Sequence, residues 1–363
     1  MTTVQYDIPN WVRQHRATVW EWFQTVQDPS NPEQVNWCKN GSLFPIGANE
    51  GLGPTALALK LCHILNFFDL ANNNLRDRMV ERINSFQSTN ESAQGYYEDP
   101  ALLKAVEKRK WFRLVKNLPV RRAETRQAIT ALKSVGAKSL RPFTFIPQTT
   151  EEISAYFEAL PWEADPWGAG SHASALLVFL HANKEWFAQA KNLATLEAAV
   201  FHELDKRFQS ETGSWHLGTP LPHQIINSGM KVYTGYDYLG LPPPHPERLI
   251  DFCLSAAANQ GACNHVDLIY VLYVASRRNG YRHEEIRKFA FQTVGAIKQY
   301  RQPDGGLSYD LNGAQTNYRG MAVSMGIKGI SDLHGTKLFT WALSLISGIL
   351  GWDNELGWRL PVV

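Results

Sequence analysis

The sequence predicts an all-α chain in which six helical hairpins close into a ring. Six polar clusters recur along its 363 residues, and each opens an apolar run of helical period. They are Asn49-Glu50, Arg122 to Arg126 (RAETR), Ser171-His172, His223 to Asn227 (HQIIN), Cys263 to Asp267 (CNHVD) and Asp332 to His334 (DLH). Runs such as ASALLVFL, LIYVLYVA and LFTWALSLISGIL follow these clusters. A second recurrence marks helix ends, and no strand-rich region or linker divides the chain. Residues 1–363 therefore read as one domain.

Helical period and breakers place the elements in order. Inner helices are expected near 50–66, 122–134, 171–183, 223–238, 264–278 and 333–350. Outer helices are expected near 9–25, 75–88, 149–159, 188–208, 246–258 and 284–300. The segment 97–117 reads as an extra helix, and PLPH and GLPPPHPER as rigid turns. Four segments share one punctuation mark, an apolar or aromatic residue and Gln followed by a Gly turn. They are TVQDPSNPEQVNWCKNGSLF from Thr25, SFQSTNESAQGYY from Ser85, RFQSETGSWHLG from Arg207 and YRQPDGGLSYD from Tyr300. The Gln amide can bond backbone groups at the helix end, and Gly supplies the positive φ of the turn. A unit repeated in this way cannot bury its apolar face alone and needs its neighbours.

Composition narrows the function classes. A hydrophobic content of 44% suits a chain with a substantial core, and a charged fraction of 19% argues against disorder. The net charge is +2 and no dense Lys/Arg run appears, so nucleic acid is not an expected partner. The short basic stretches over 108–122 read as solvated helix faces. Cys38, Cys62, Cys253 and Cys263 form no CxxC pair, which fits reduced thiols. The N-terminus MTTVQYDIPNWVRQHR lacks the charged and apolar regions of a signal peptide. The region from Leu338 to Leu350 reads as a buried helix rather than a membrane span. The expectation is a cytoplasmic protein.

FQSETGSW, with its weaker counterparts between about Trp11 and Trp352, resembles the QW motifs of squalene–hopene-type terpenoid cyclases. The resemblance implies an (α/α)6 toroid in which each motif ties an outer helix to the next inner one. Similar rings occur in protein prenyltransferases, lanthionine cyclases, and several polysaccharide lyases, epimerases and unsaturated-glucuronide hydrolases. The chain departs from the cyclases at their acid motif. GAGSHAS stands where D-x-D-D is expected, and neither DxDD nor DDxxD occurs anywhere.

In such a ring the inner helices run parallel, so their N-termini share one rim. Unpaired first-turn N–H groups and the helix dipoles favour an anionic ligand there. Ser171, Asn264, Asp332 and Glu50 also read simply as N-caps. Four histidines, His172, His223, His265 and His334, fall in different clusters and point to a polar cavity. Asp165-Pro-Trp-Gly-Ala-Gly-Ser-His carries two glycines that permit close approach and a Trp167 wall. It reads equally as a tight turn. Candidate catalytic residues are His172, His265, Glu124, Tyr233 and His223. Candidate substrate-binding residues are Glu50, Arg122, Arg126, Trp167, Asn227, Asn264, Asp267, His334 and Lys337. Arg122 and Arg126 share a helix face that could clamp an anion, or could form a buried ion network with Glu124. No cofactor is expected, but Cys263, His265, Asp267 and His334 leave a zinc site open.

These residues predict an enzyme using acid/base chemistry on a saccharide-like or anionic small molecule or oligosaccharide. Lyase, epimerase and glycoside hydrolase chemistries stay open. So do a terpenoid cyclase or prenyltransferase lacking DxDD and a non-catalytic binding ring.

Overall fold

The computed structural model describes residues 5–43, 50–71, 74–90, 95–107, 118–187, 192–256, 262–277 and 280–363. Asn49 and the basic residues 108–117 lie outside them. The chain starts with α1 (Asn10–Arg13) and α2 (His15–Val26), followed by α3 (Leu52–Ile64), α4 (Leu75–Ser85), α5 (Pro100–Glu107) and α6 (Leu118–Ser134). Next come α7 (Thr150–Glu158), α8 (Pro166–Phe187), α9 (Leu193–Asp205), α10 (Pro222–Tyr238) and α11 (Pro246–Ser255). The last are α12 (Ala262–Ser276), α13 (His283–Lys298), α14 (Leu333–Leu350) and the short α15 (Asp353–Leu356).

Six of these helices close a ring. α3 packs on α6, α6 on α8, α8 on α10, α10 on α12, α12 on α14, and α14 on α3 again. The outer helices cover them: α4 lies on α3, α9 on α8, α11 on α12 and α13 on α14. His15 of α2 reaches Thr340 of α14 at 2.9 Å. The inner helices are apolar nearly all round because they touch neighbours on both flanks and a cover behind. Every residue of α3 except His63 is buried. The fold is an all-α (α/α)6 ring.

The Gln punctuation has a physical basis in the fold. β1 (Phe208–Gln209) pairs antiparallel with β2 (Ser214–Trp215), and Gly213 turns between them at φ +68°. Single antiparallel bridges Gln27–Val35, Gln87–Tyr97 and Arg301–Leu307 repeat the same hairpin after α2, α4 and α13. Gln87 shows what the amide does. Its Nε2 donates to the Arg141 carbonyl at 2.8 Å, and its Oε1 accepts from the Leu140 and Arg141 N–H groups, both at 2.9 Å. The Gln87 amide thereby ties the end of α4 to the segment between α6 and α7.

Helix starts differ from the expected clusters in a consistent way. α6 is already helical at Leu118, before RAETR, and α8 begins at Pro166, before Ser171-His172, because a proline suits the first turn. Asp165, not Ser171, caps α8, accepting from Gly168 N–H at 2.9 Å. A Cβ on Gly168 would stand 2.2 Å from the Asp165 carboxylate, and one on Gly170 would stand 3.0 Å from the Ser228 carbonyl of α10. Those two glycines therefore serve the cap and the α8–α10 approach. Asp99, rather than Glu50, serves the start of α3, accepting from Gly51 and Leu52 N–H at 2.8 and 3.0 Å. Asp332 is the N-cap of α14, accepting from Gly335 N–H at 2.7 Å. The extra helix runs only over Pro100–Glu107 among the described residues. No described helix is long and apolar enough to cross a membrane.

Candidate functional site

All six inner helices contribute to one cavity of about 410 Å³ inside the ring. α3 supplies Leu57 and Lys60, α6 Arg126 and Thr130, α8 Trp167 and Ser171, and α10 Met230 and Lys231. α12 adds Cys263 and Asp267, and α14 adds His334, Lys337 and Trp341. The segment between α13 and α14 returns over the cavity and contributes Tyr309, Gln315, Tyr318 and Arg319. Tyr318 and Arg319 arrive on a hairpin, β3 (Asn317–Tyr318) and β4 (Met321–Ala322). Asp332 secures that segment with its second oxygen, which accepts from Tyr309 and Gln315 N–H at 2.7 and 2.9 Å.

Charge dominates the wall. Lys60, Arg126, Lys231, Arg319 and Lys337 face the cavity, whereas only Asp165 and Asp267 among its lining side chains are carboxylates; Val363 lines it as well. Lys60 donates to Thr130 Oγ1 at 2.6 Å, and Arg126 bonds the Thr234 hydroxyl. Among the described residues neither they, Lys231 nor Lys337 has an ion-pair partner within bonding range. Burial, then mutual repulsion from Lys337, Arg126 and Lys231, drives Lys60 well below its ordinary range. The same two causes lower Lys337 to about 7. Burial raises Asp267 to about 6 against the opposing pull of Lys231. Two rings complete the wall: Lys231 lies 5.7 Å from the Trp167 ring centroid, and Lys337 lies 4.4 Å from that of Trp341.

A second, smaller pocket adjoins the first and shares Tyr318 with it. Trp37, Glu50, Gly53, Asp99 and Glu124 line it. Glu124 Oε1 accepts from Tyr318 Oη at 2.8 Å and from Arg319 Nε at 2.7 Å, so the bond joins a cation of the large cavity to a carboxylate of the small one. Burial raises the Glu124 carboxyl, and the Arg319 charge opposes that rise.

Trp167, Arg126, Asp267, His334 and Lys337 are thus brought together. His334 is neutral, lowered to about 3 by burial and then by Lys337. Its Nδ1 meets Gln315 Oε1 at 2.8 Å and its ring stacks on Tyr309. Glu50 and Glu124 line the neighbouring pocket instead. Asn227 stands behind Asp267: with its amide nitrogen towards α12 it donates to Asp267 Oδ2 at 3.3 Å and to the His223 carbonyl at 3.0 Å. Neither Asn227, Asn264 nor His223 is among the cavity-lining residues.

Other expected site residues lie outside the cavity wall. Arg122 forms no clamp or ion network with Arg126 and Glu124; its guanidinium lies 4.7 Å from the Tyr156 ring centroid. His265 packs against Tyr300 and Phe339, centroids 5.9 and 6.4 Å away, and is not in the cavity wall. Its departure breaks the Cys263–His265–Asp267–His334 set, and no group of three or more potential ligands is assembled for a metal among the described residues. Tyr233 is fully buried against Trp215. His172 feels Arg122 and Asp165 but is not in the wall; burial lowers it to about 4. Lys60, Lys231, Tyr309, Gln315, Tyr318, Arg319 and Trp341 were not anticipated. A lone lysine inside an apolar helical run, as in ALALKLCHI, was the available signal, because lysine is almost never buried without a reason.

No family model and no curated protein matches the sequence. Among solved structures the chain is similar to a GH76A alpha-1,6-mannanase from Salegentibacter sp. HEL1_6. The TM-score is 0.47 and the identity 10%, over 94% of this chain and 99% of the other. A likeness of that degree carries no argument about function. The terpenoid cyclase resemblance is not shown by these comparisons.

Proposed function

We propose that the protein is an enzyme acting by acid/base catalysis on a saccharide that carries a carboxylate. The observation behind this reading is the excess of unpaired cations from four different inner helices around a cavity with two indole walls. Keeping Lys60, Arg126, Lys231 and Lys337 close together with Asp267 near Lys231 as the one opposing charge is costly, and an anion in their midst offsets that cost. Trp167 and Trp341 offer apolar faces to a sugar ring while the polar wall meets its hydroxyls.

Neutralising a uronate carboxylate acidifies the adjacent C–H bond, because the developing charge delocalises onto oxygens held by cations. Lys60, Arg126 and Lys231 take that role. Asp267, raised to about 6, is ionised at neutral pH and accepts the proton. Lys337, lowered to about 7, still holds a proton near neutrality and delivers it. Delivery to the leaving oxygen gives a lyase, and delivery to the opposite face of the carbanion gives an epimerase. A cyclase reading is disfavoured here, since a carbocation would sit among five positive side chains.

Incubation with oligouronides, followed by ultraviolet absorbance for an unsaturated product and proton NMR for an epimer, tests the reaction. Calorimetry with matched charged and neutral oligosaccharides tests the class. Tighter binding of the neutral set would overturn the proposal.

A further inference from the structure

We propose that Arg319 is an exchangeable clamp that leaves Glu124 for the carboxylate of the substrate when the substrate binds. The inference rests on the anionic-substrate reading above, and names one residue and one partner exchange within that site.

The backbone supplies the first observation. Tyr318 pairs with Met321, so Arg319 and Gly320 form a two-residue hairpin turn with φ values of +47° and +95°. Such a turn favours Asn-Gly, since side chains at its first position enter the left-handed region. An arginine there is strained, and a residue kept in that state is a reason to look for function. Here the turn projects the guanidinium over the large cavity.

The second observation is the mismatch between the two partners. The Arg319 side chain is 32% exposed and lines the large cavity, whereas Glu124 is 2% exposed and lines the small one. The guanidinium therefore has access to both. Glu124 is also incompletely paired: Tyr318 and Arg319 both use Oε1, while Oε2 is buried with no hydrogen-bond partner among the described residues. Oε2 lies toward α3, 3.4 Å from where a Cβ on Gly53 would stand.

Exchange has a protonic consequence. With Arg319 gone, Glu124 keeps only the Tyr318 hydroxyl on one side. Asp99, ahead of α5, adds a repulsive charge, Glu50 lines the same pocket as a second carboxylate, and α3 presents only the uncharged Gly53 and Pro54 there. Burial then favours the neutral acid, so the carboxyl binds a proton from solvent as the anion takes Arg319. The lysines of the large cavity bind protons too when an anion approaches, and the experiment must separate the two contributions.

Calorimetry with glucuronate, in buffers of different ionisation enthalpy near pH 7.5, measures both affinity and proton uptake. The parent is expected to take up protons on binding. Glu124→Gln, which keeps an acceptor for Tyr318, is expected to bind glucuronate but to take up fewer protons, by as much as one. Arg319→Asn suits the turn and so preserves the fold, and is expected to bind at least about 10-fold more weakly. Parent-like affinity in Arg319→Asn, or parent-like uptake in Glu124→Gln, would overturn the clamp while leaving the anionic-substrate reading in place. If the parent binds neither glucuronate nor inorganic phosphate, both readings fall.

Discussion

The first turns of the inner helices and the turns beneath them use their polar residues differently. At the first turn, Asp165 and Asp332 are consumed by backbone N–H groups, Asp99 serves the start of α3 from outside, and His265 packs on aromatic rings. One or two turns deeper, Lys60, Arg126, Lys231, Asp267 and Lys337 face the cavity. The difference follows from helix chemistry. Unpaired N–H groups at a terminus claim whatever acceptor is nearest, whereas deeper side chains have no backbone donor to satisfy. Polar residues that open an inner helix therefore chiefly build the ring, although Asp165, Cys263 and His334 also reach the cavity, and polar residues inside the apolar runs build the cationic wall.

The strongest test of that contrast is Asp267. Asp267→Asn keeps the size and removes the charge, and should lower turnover on the true substrate by about 100-fold or more. Lys337→Met should do the same from the other side of the reaction. With Asp267 as base at about 6 and Lys337 as acid at about 7, kcat/KM should be bell-shaped. It should rise as Asp267 ionises, peak between the two values, and fall as Lys337 loses its proton. A rate independent of pH between 5 and 8 would remove both residues from the mechanism.

A smaller effect with a telling sign is expected at Lys60. Lys60→Met should weaken anion binding by about 10-fold yet leave the protein at least as stable, because it removes a buried cation that faces only other cations. The sign for the parent follows from linkage. Lys337 is lowered in the folded state, so the unfolded chain binds more protons and stability rises with pH between about 7 and the ordinary lysine value of 10.5. Buried thiols and phenols, raised in the folded state, pull the other way above pH 9, so the lysine is read as a difference: the stability of the parent relative to Lys337→Met should rise with pH across that window, and a bound anion should flatten the rise. A parent-to-variant difference that falls over the same window would contradict the uncompensated-cation picture.

Helical period was enough to locate the inner and outer helices, since a helix packed on both flanks must be apolar nearly throughout. The Gln-Gly punctuation likewise corresponded to real hairpins at Gln27, Gln87, Gln209 and Arg301. The site was only partly legible. Asp267, Arg126 and His334 stood inside polar clusters, Trp167 and Lys337 stood beside them, and all five were visible. Lys60 and Lys231 stood alone in apolar runs, where one charged residue does not disturb the period. Arg319 lies in a hairpin far along the chain from every helix it serves, and no local pattern ties it to Glu124, 195 residues earlier.

His265 sharpens the other side of the comparison. Its ring fills space between Tyr300 and Phe339, so His265→Ala should cost about 1–3 kcal/mol in stability. Affinity for an anionic saccharide should stay within about twofold once the protein is folded. Denaturant melts and calorimetry on one preparation would check both. A stable variant that no longer binds would return His265 to the site.

The smallest effect is expected at His172, which tests whether proximity to the cavity is enough to matter. It sits in the second turn of α8, and burial followed by Arg122 lowers it to about 4, so it is neutral at pH 7. A neutral imidazole adds nothing to the cationic field, and Tyr156 bonds the His172 backbone carbonyl rather than the ring, an interaction that survives loss of the side chain. His172→Ala should therefore cost no more than about 1 kcal/mol in stability and leave affinity within about twofold. Because the folded-state value is lowered, the parent histidine opposes folding as pH falls below 6.5 towards 4, and the variant should be relatively more stable at pH 5 than at pH 7. Comparing melts of the two proteins at both pH values reads this directly. A 10-fold loss of anion affinity in the variant would place His172 back among the binding residues.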